Sequence, residues 1–126
     1  MAVRVVDASA LAALLFGEPE AEHIAGQLTD SRLVAPALLG FELANVCLIK
    51  CRRHPDQNNT LRTAFALRAQ MQIEEIAVDH DENLALAAAT GLTAYDASYL
   101  WLARRLDAEL VTLDQQLGKA AAKRAP

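Results

Sequence analysis

Aromatic residues are scarce in this chain: Phe, Tyr and Trp make up 5% of its 126 residues, so its core must be aliphatic. Cysteine is scarcer still. Cys47 and Cys51 are the only two, four apart on one predicted helix, where both are fixed to the same rigid rod and cannot easily bridge. That excludes a disulfide framework and points to a reducing compartment. Basic residues do not predominate: 12 Lys and Arg face 16 Asp and Glu, for a net charge of −4. This is not the profile of a strongly basic nucleic-acid binder, although a bound cation can neutralise acidic groups locally. No apolar run is long enough to span a bilayer. Asp7 and Ser9 interrupt the apolar N-terminal stretch, which argues against a signal peptide. The chain has no low-complexity tract, no long linker and no internal repeat, and no G-x-G-x-x-G follows the first predicted strand. The expectation is a cytoplasmic protein with no membrane association, folded as one domain over residues 1–126.

What the chain has is apolar bulk and helix formers. Hydrophobic residues make up 53%, with 26 Ala and 20 Leu. Short β-rich runs, AVRVV, RLVAP, EEIAV and AELVTL, alternate with stretches that read as helices. Among the helices are SALAALLFG, ending at Gly17, and ALLGFELANVCLIKCRRH, ending before Pro55. DQNNTLRTAFALRAQM follows, with Asp56 as its expected N-cap, then DHDENLALAAATG, TAYDASYLWLARRL and DQQLGKAAAKRA. This alternation predicts an α/β fold, with a parallel sheet between helical layers.

In such a sheet the functional site lies beyond the carboxyl ends of the strands. Asp7 ends the first strand and Asp114 the last, Asp96 starts a helix, and Glu42 sits one turn into the helix after the second strand. Asp7 and Asp114 also suit helix N-caps, and Thr93 with Asp96 has capping-box spacing. Glu42 is harder to read as incidental. It is the single charge in LLGFELANVCLI, a helix apolar nearly all round and therefore expected to be buried. A buried carboxylate must be protonated, paired or metal-bound. Were the four acids to converge, their repulsion would be relieved by a divalent cation, and an all-carboxylate set suits Mg2+ or Mn2+ rather than structural zinc. Such a site suits metal-assisted phosphodiester hydrolysis. Asn45, close along the helix, shares the Glu42 face and is placed to orient it or to meet substrate.

The segments VVDASALAALLFGEPEA, APALLGFELANVC, LTAYDASYLWLA and LVTLD, with acids in the order D, E, D, D, resemble the PIN-domain ribonucleases, and among them the VapC-type toxins of bacterial toxin–antitoxin pairs. The similarity runs from Val5 to about Leu117. It implies a three-layer α/β/α sandwich around a parallel sheet of four to five short strands. It implies that Asp7, Glu42, Asp96 and Asp114 are the catalytic, metal-binding acids, with Ser9 and Thr112 as hydroxyl residues beside them. It further implies one or two Mg2+ or Mn2+ ions, hydrolysis of RNA, a homodimer, and a cognate antitoxin that wraps the toxin. Many relatives end in a short extra strand. This chain ends GKAAAKRAP, without strand character, so a four-stranded sheet or an irregular last edge is expected.

Other features have plainer readings. Lys50, Arg52 and Arg53 could touch RNA phosphates, but cations also complement a helix C-terminus. Cys47 and Cys51 read as core residues rather than soft-metal ligands with His54. Tyr95, Tyr99, Leu102 and Leu106 form a stripe expected in the core, and Trp101 lies off it, at a partner surface or in the core. Two other function classes compete. A receiver-like phospho-acceptor domain would use Asp79, which follows a strand, but it needs an acidic pair where Asp7 is followed by Ala8 and Ser9. A non-catalytic binding module would use the acids only as caps.

Overall fold

The computed structural model describes residues 1–123. Four strands, β1 (Ala2–Val6), β2 (Ser31–Pro36), β3 (Glu74–Ile76) and β4 (Glu109–Val111), form one sheet in the order β3-β2-β1-β4. Every pairing is parallel, with Val5 opposite Val34 on one side and Leu110 on the other. Helices cover the sheet on both sides in an α/β/α sandwich, so its central strands carry apolar residues on both faces. Val5, Val6, Val34, Ala35 and Val111 are almost completely buried.

Seven helices occur among the described residues: α1 (Ala8–Leu15), α2 (Ala21–Leu28), α3 (Leu39–Arg53), α4 (Asn58–Ala66), α5 (His80–Thr90), α6 (Ala94–Leu106) and α7 (Gln115–Ala122). α1 packs on α2 and α3, and α6 lies against β1 and β2 with α5 behind it. Leu11, Ile24, Leu43, Leu100, Leu102 and Leu117 join the strand valines in one aliphatic core, with Tyr99 its largest fully buried side chain. α5 ends as its sequence requires: Gly91 takes φ +76°, and its N–H donates to the Ala87 carbonyl.

Three expectations are corrected. Asp56 does not cap α4. Pro55–Gln57 form a short 3-10 turn instead, because Pro at its first position fixes φ and needs no N–H partner, and α4 starts after Gln57. α3 is not apolar all round by virtue of burial. Leu39, Leu43 and Cys47 form its buried stripe, while Phe41, Leu48 and Ile49 are exposed. The α6 stripe is core only at Tyr99 and Leu102. Tyr95 is exposed because it lies in the first turn, beyond the strand ends, and Leu106 is exposed at the last residue of the helix. The predicted final helix is present as α7, and the end of DQQLGKAAAKRA at Arg124 and Ala125 lies outside the described residues, as does Pro126. Among the described residues the sheet has four strands.

Candidate active site

The strand order reverses beside β1. The chain moves outward from β1 through β2 to β3, then returns to add β4 on the other side. In open parallel sheets this switch point opens a crevice at the carboxyl ends of the strands. Asp7 leaves β1 there, and its N–H donates to the Val111 carbonyl at the end of β4, 3.2 Å away. Its side chain is 4% exposed and fully engaged. Oδ1 caps α1 by accepting the Ala10 N–H at 2.9 Å and also accepts the Ser9 hydroxyl at 2.7 Å. Oδ2 accepts the Thr112 hydroxyl at 2.5 Å. The same two hydroxyls accept from the β4–α7 connection, Ser9 from the Leu113 N–H at 2.9 Å and Thr112 from the Asp114 N–H at 3.0 Å. Ser9 and Thr112 thus lock Asp7 and Asp114 into one hydrogen-bonded unit across the switch point. Asp114 in turn caps α7, accepting the Leu117 N–H at 2.8 Å.

The other two acids come from helices. Glu42, half-buried in the first turn of α3, accepts the Tyr99 hydroxyl at 2.6 Å. Asp96 lies in the first turn of α6, where its N–H is capped by Thr93 at 3.1 Å. The buried Asn83 of α5 steadies that turn by donating its amide to the Ala94 carbonyl at 2.8 Å. The capping expectations hold: Asp7 and Asp114 cap helices, and Thr93 caps the turn that carries Asp96.

The carboxylates feel one another. Burial is the main cause that raises the Asp7 pKa above its ordinary value, against the lowering effect of Thr112, Ala10 and Ser9, and the Asp114 charge raises it further. Burial also raises Glu42, opposed by the Tyr99 hydrogen bond and reinforced by the charges of Asp96 and Asp7. Asp96 is raised by burial and by Asp114. The Tyr99 hydroxyl is held firmly protonated by burial and by Glu42, and so remains a donor.

Residues 4–123 match the PIN domain family. The chain belongs to that family. It is 32% identical over 120 residues to Ribonuclease VapC3 of Pyrobaculum aerophilum, an alignment covering 91% of this chain and 92% of that protein. In structure this PIN domain is similar to PAE2754 from Pyrobaculum aerophilum, with a TM-score of 0.79 and 25% identity over 98% of this chain and 88% of the other. It shares the fold of Mycobacterium tuberculosis VapC20, a Sarcin-Ricin loop cleaving toxin, with a TM-score of 0.67 and 16% identity over 93% of this chain and 94% of that one.

Carboxylate oxygen is the only donor type that Asp7, Glu42, Asp96 and Asp114 offer, and it suits Mg2+ or Mn2+. Their mutual repulsion reaches across the PIN domain's acid face. Yet no three His, Cys, Asp or Glu side chains among the described residues stand together closely enough to grip one ion. The two observations differ because charge acts over longer distances than a coordinate bond. Mg2+ keeps several of its waters and is commonly held by one or two carboxylates, so the donor set fits it.

Asn45 is exposed, and the hydrogen-bonding partner of Glu42 is Tyr99 rather than Asn45. Lys50 pairs with Glu18 and lies over the Phe16 ring. Lys50, Arg52 and Arg53 stand at the far end of α3, about 12 Å or more along the axis from Glu42. Asp79 caps α5, accepting the Glu82 N–H at 2.9 Å. Cys47 and Cys51 are free thiols with sulfurs 4.0 Å apart. They line a cleft of about 510 Å3 between α3 and α4 that contains none of the four acids. Trp101 is half-buried at the edge of the core, its indole N–H donating to Glu82 at 3.0 Å. Tyr99 and Asn83 escaped the sequence reading of the site. A signal for Tyr99 was present, since a Tyr in a predicted core stripe must find a partner for its hydroxyl.

Proposed function

We propose that this PIN domain is a metal-dependent endoribonuclease, the toxin of a type II toxin–antitoxin pair, with Asp7, Glu42, Asp96 and Asp114 holding Mg2+ or Mn2+ for hydrolysis of RNA phosphodiester bonds. The observation that carries the reading is Asp7: a buried carboxylate at the switch point, fixed by three hydrogen bonds and facing further negative charge from Asp114. A cap needs neither that burial nor those charges. The similarity to Ribonuclease VapC3 supports RNA as the substrate class.

When bound, the cation lowers the pKa of water and offsets charge on the phosphate oxygens. The chain's own residues prepare the place. Ser9 and Thr112 keep the Asp7 oxygens from rotating, and Thr112 couples them to the Asp114 backbone. Tyr99 holds Glu42 through Oε1. Asn83 and Thr93 fix the turn that presents Asp96. No nucleophilic side chain is required. RNA is the substrate, a cognate antitoxin the regulating partner, a homodimer the working assembly and the cytoplasm its place. No helix among the described residues is long and apolar enough to cross a membrane.

The test is cleavage of a defined RNA with Mg2+ or Mn2+, with and without a chelator. Cleavage is expected only with free metal, and cutting that persists in excess chelator refutes the metal assignment. A finer expectation concerns Tyr99→Phe, which removes one hydroxyl from the core and leaves Glu42 without its donor. Weakening of Mn2+ binding by about tenfold is expected, the usual cost of losing a partner behind a ligand. A stability loss of about 1 kcal/mol should accompany it. Calorimetric titration and urea unfolding read these separately, and unchanged Mn2+ affinity would show that Glu42 is not a ligand.

A further inference from the structure

Three of the four acids share a neighbour type. Glu42 follows Phe41, Asp96 follows Tyr95 and Asp114 follows Leu113, and all three preceding side chains are exposed large apolar groups. Phe41 is 83% exposed and Tyr95 67%, in a chain with very few aromatic residues. Tyr95 lies one turn before Tyr99 on the same side of α6, and Tyr99 reaches Glu42. Phe41 and Tyr95 thus share the first turns of α3 and α6 with Glu42 and Asp96.

Five of the cations are engaged with other groups. Arg4, Arg32 and Lys50 are ion-paired with Glu109, Glu74 and Glu18, none of which belongs to the acid group. Arg68 and Arg105 lie over the rings of Phe65 and Trp101. The basic residues of α3 and α6 lie in their last turns, so the first turns that carry Glu42 and Asp96 offer a polyanion no cation of their own. A base offers a different handle, its π-face, which stacks on an aromatic ring without regard to sequence and only when the base is unpaired.

Resting on the ribonuclease reading above, we propose that Phe41 and Tyr95, each next to an acid in the first turn of its helix, are the platforms on which unpaired bases of the RNA stack. The rings would take nucleotides flanking the bond to be cut and so set the position of the phosphate against the acids. Leu113, next to Asp114, has no π-face to stack.

The experiment measures kcat/KM with Mn2+ on a labelled single-stranded RNA and on the same sequence held in a duplex. Phe41→Ala and Tyr95→Ala are each expected to lower kcat/KM on the single strand by about tenfold to a hundredfold, the usual worth of one stacked base. Their melting temperatures should stay at the wild-type value, because both rings are exposed. Phe41→Trp and Tyr95→Phe should stay within about twofold of wild type, since each keeps a ring, whereas Phe41→Leu should fall with the alanine variant. Leu106→Ala, an exposed leucine at the opposite end of α6, should change nothing. The duplex should be the poorer substrate for wild type. The proposal is overturned if wild type cuts RNA and the alanine variants cut it equally well, or if leucine serves as well as tryptophan. It is also overturned if the alanine variants keep full cleavage and lose only self-association or antitoxin binding, which would make the rings a protein interface. Failure of the ribonuclease reading itself appears separately, as an unmodified protein that cuts no RNA with metal, and that result removes this proposal too.

Discussion

Asp7→Asn is expected to lower RNA cleavage by about a thousandfold or more while leaving the metal-free fold intact. The size follows from charge. A divalent cation contributes several kcal/mol to a phosphoryl transition state, and about 4 kcal/mol corresponds to three orders of magnitude in rate. The intact fold follows from shape and hydrogen bonding. Asn has the size of Asp and keeps an Oδ1 to accept the Ala10 N–H and the Ser9 hydroxyl. Its amide nitrogen then faces Thr112, whose hydroxyl already accepts the Asp114 N–H and has a second lone pair for the new donor. The substitution also removes a carboxylate whose burial opposes its ionisation. The metal-free melting temperature should therefore hold or rise, and only the metal-dependent properties should disappear. Residues kept for function at a cost in stability behave this way. A variant that cuts like wild type removes Asp7 from the site. A variant that unfolds makes Asp7 a structural cap, and Asp114→Asn, which tests the other side of the switch point, then reads activity alone.

Much of the fold was legible because the rules that govern it are local. AVRVV and RLVAP are short apolar runs ended by Asp7 and by Pro36, and both are strands. Gly17 and Gly91 both adopt positive φ close behind helices that stop there. The parallel order followed from alternation of strand and helix, and the switch point followed from the order. The position of Asp7 was visible for the same reason, since it directly follows β1, whereas Glu42 and Asp96 lie on helices and Asp114 stands three residues beyond β4.

What escaped depended on the direction of side chains across elements. Asn45 and Glu42 are close on one helix, yet the sequence does not show that α6 passes near enough for Tyr99, 57 positions away, to reach Oε1 instead. The exposed face of α3 was hidden because Phe41, Leu48 and Ile49 are apolar, and hydrophobicity alone does not separate a buried face from one kept open. Asn83 is one polar residue in a first turn that also holds Asp81 and Glu82. Its importance appears only when α5 packs on α6 and its amide meets the Ala94 carbonyl.

Mn2+ is expected to raise the melting temperature by about 10 °C at a free concentration near one hundred times its dissociation constant, and the rise should grow with pH. The magnitude comes from linkage: a ligand bound only by the folded state at that concentration adds about 2.7 kcal/mol. The sign of the pH effect comes from the raised pKa values of Asp7, Glu42 and Asp96. In the folded protein without metal these groups hold their protons more tightly than in the unfolded chain. The stability they contribute is fully present below the ordinary carboxylate values of 3.8 and 4.5. It is lost as pH rises from there through the raised folded values. The metal-free protein should thus lose stability across that window. A cation binds the deprotonated carboxylates and releases their protons, so its stabilising effect must increase over the same window. The two curves of melting temperature against pH should therefore diverge upward from the acid side, with the Asp7→Asn protein showing a smaller gap at every pH. Scanning fluorimetry in matched buffers with and without Mn2+ reads both curves directly. Parallel curves would mean that the ion binds somewhere other than these three carboxylates, because a site that must displace no protons has no reason to strengthen as they leave.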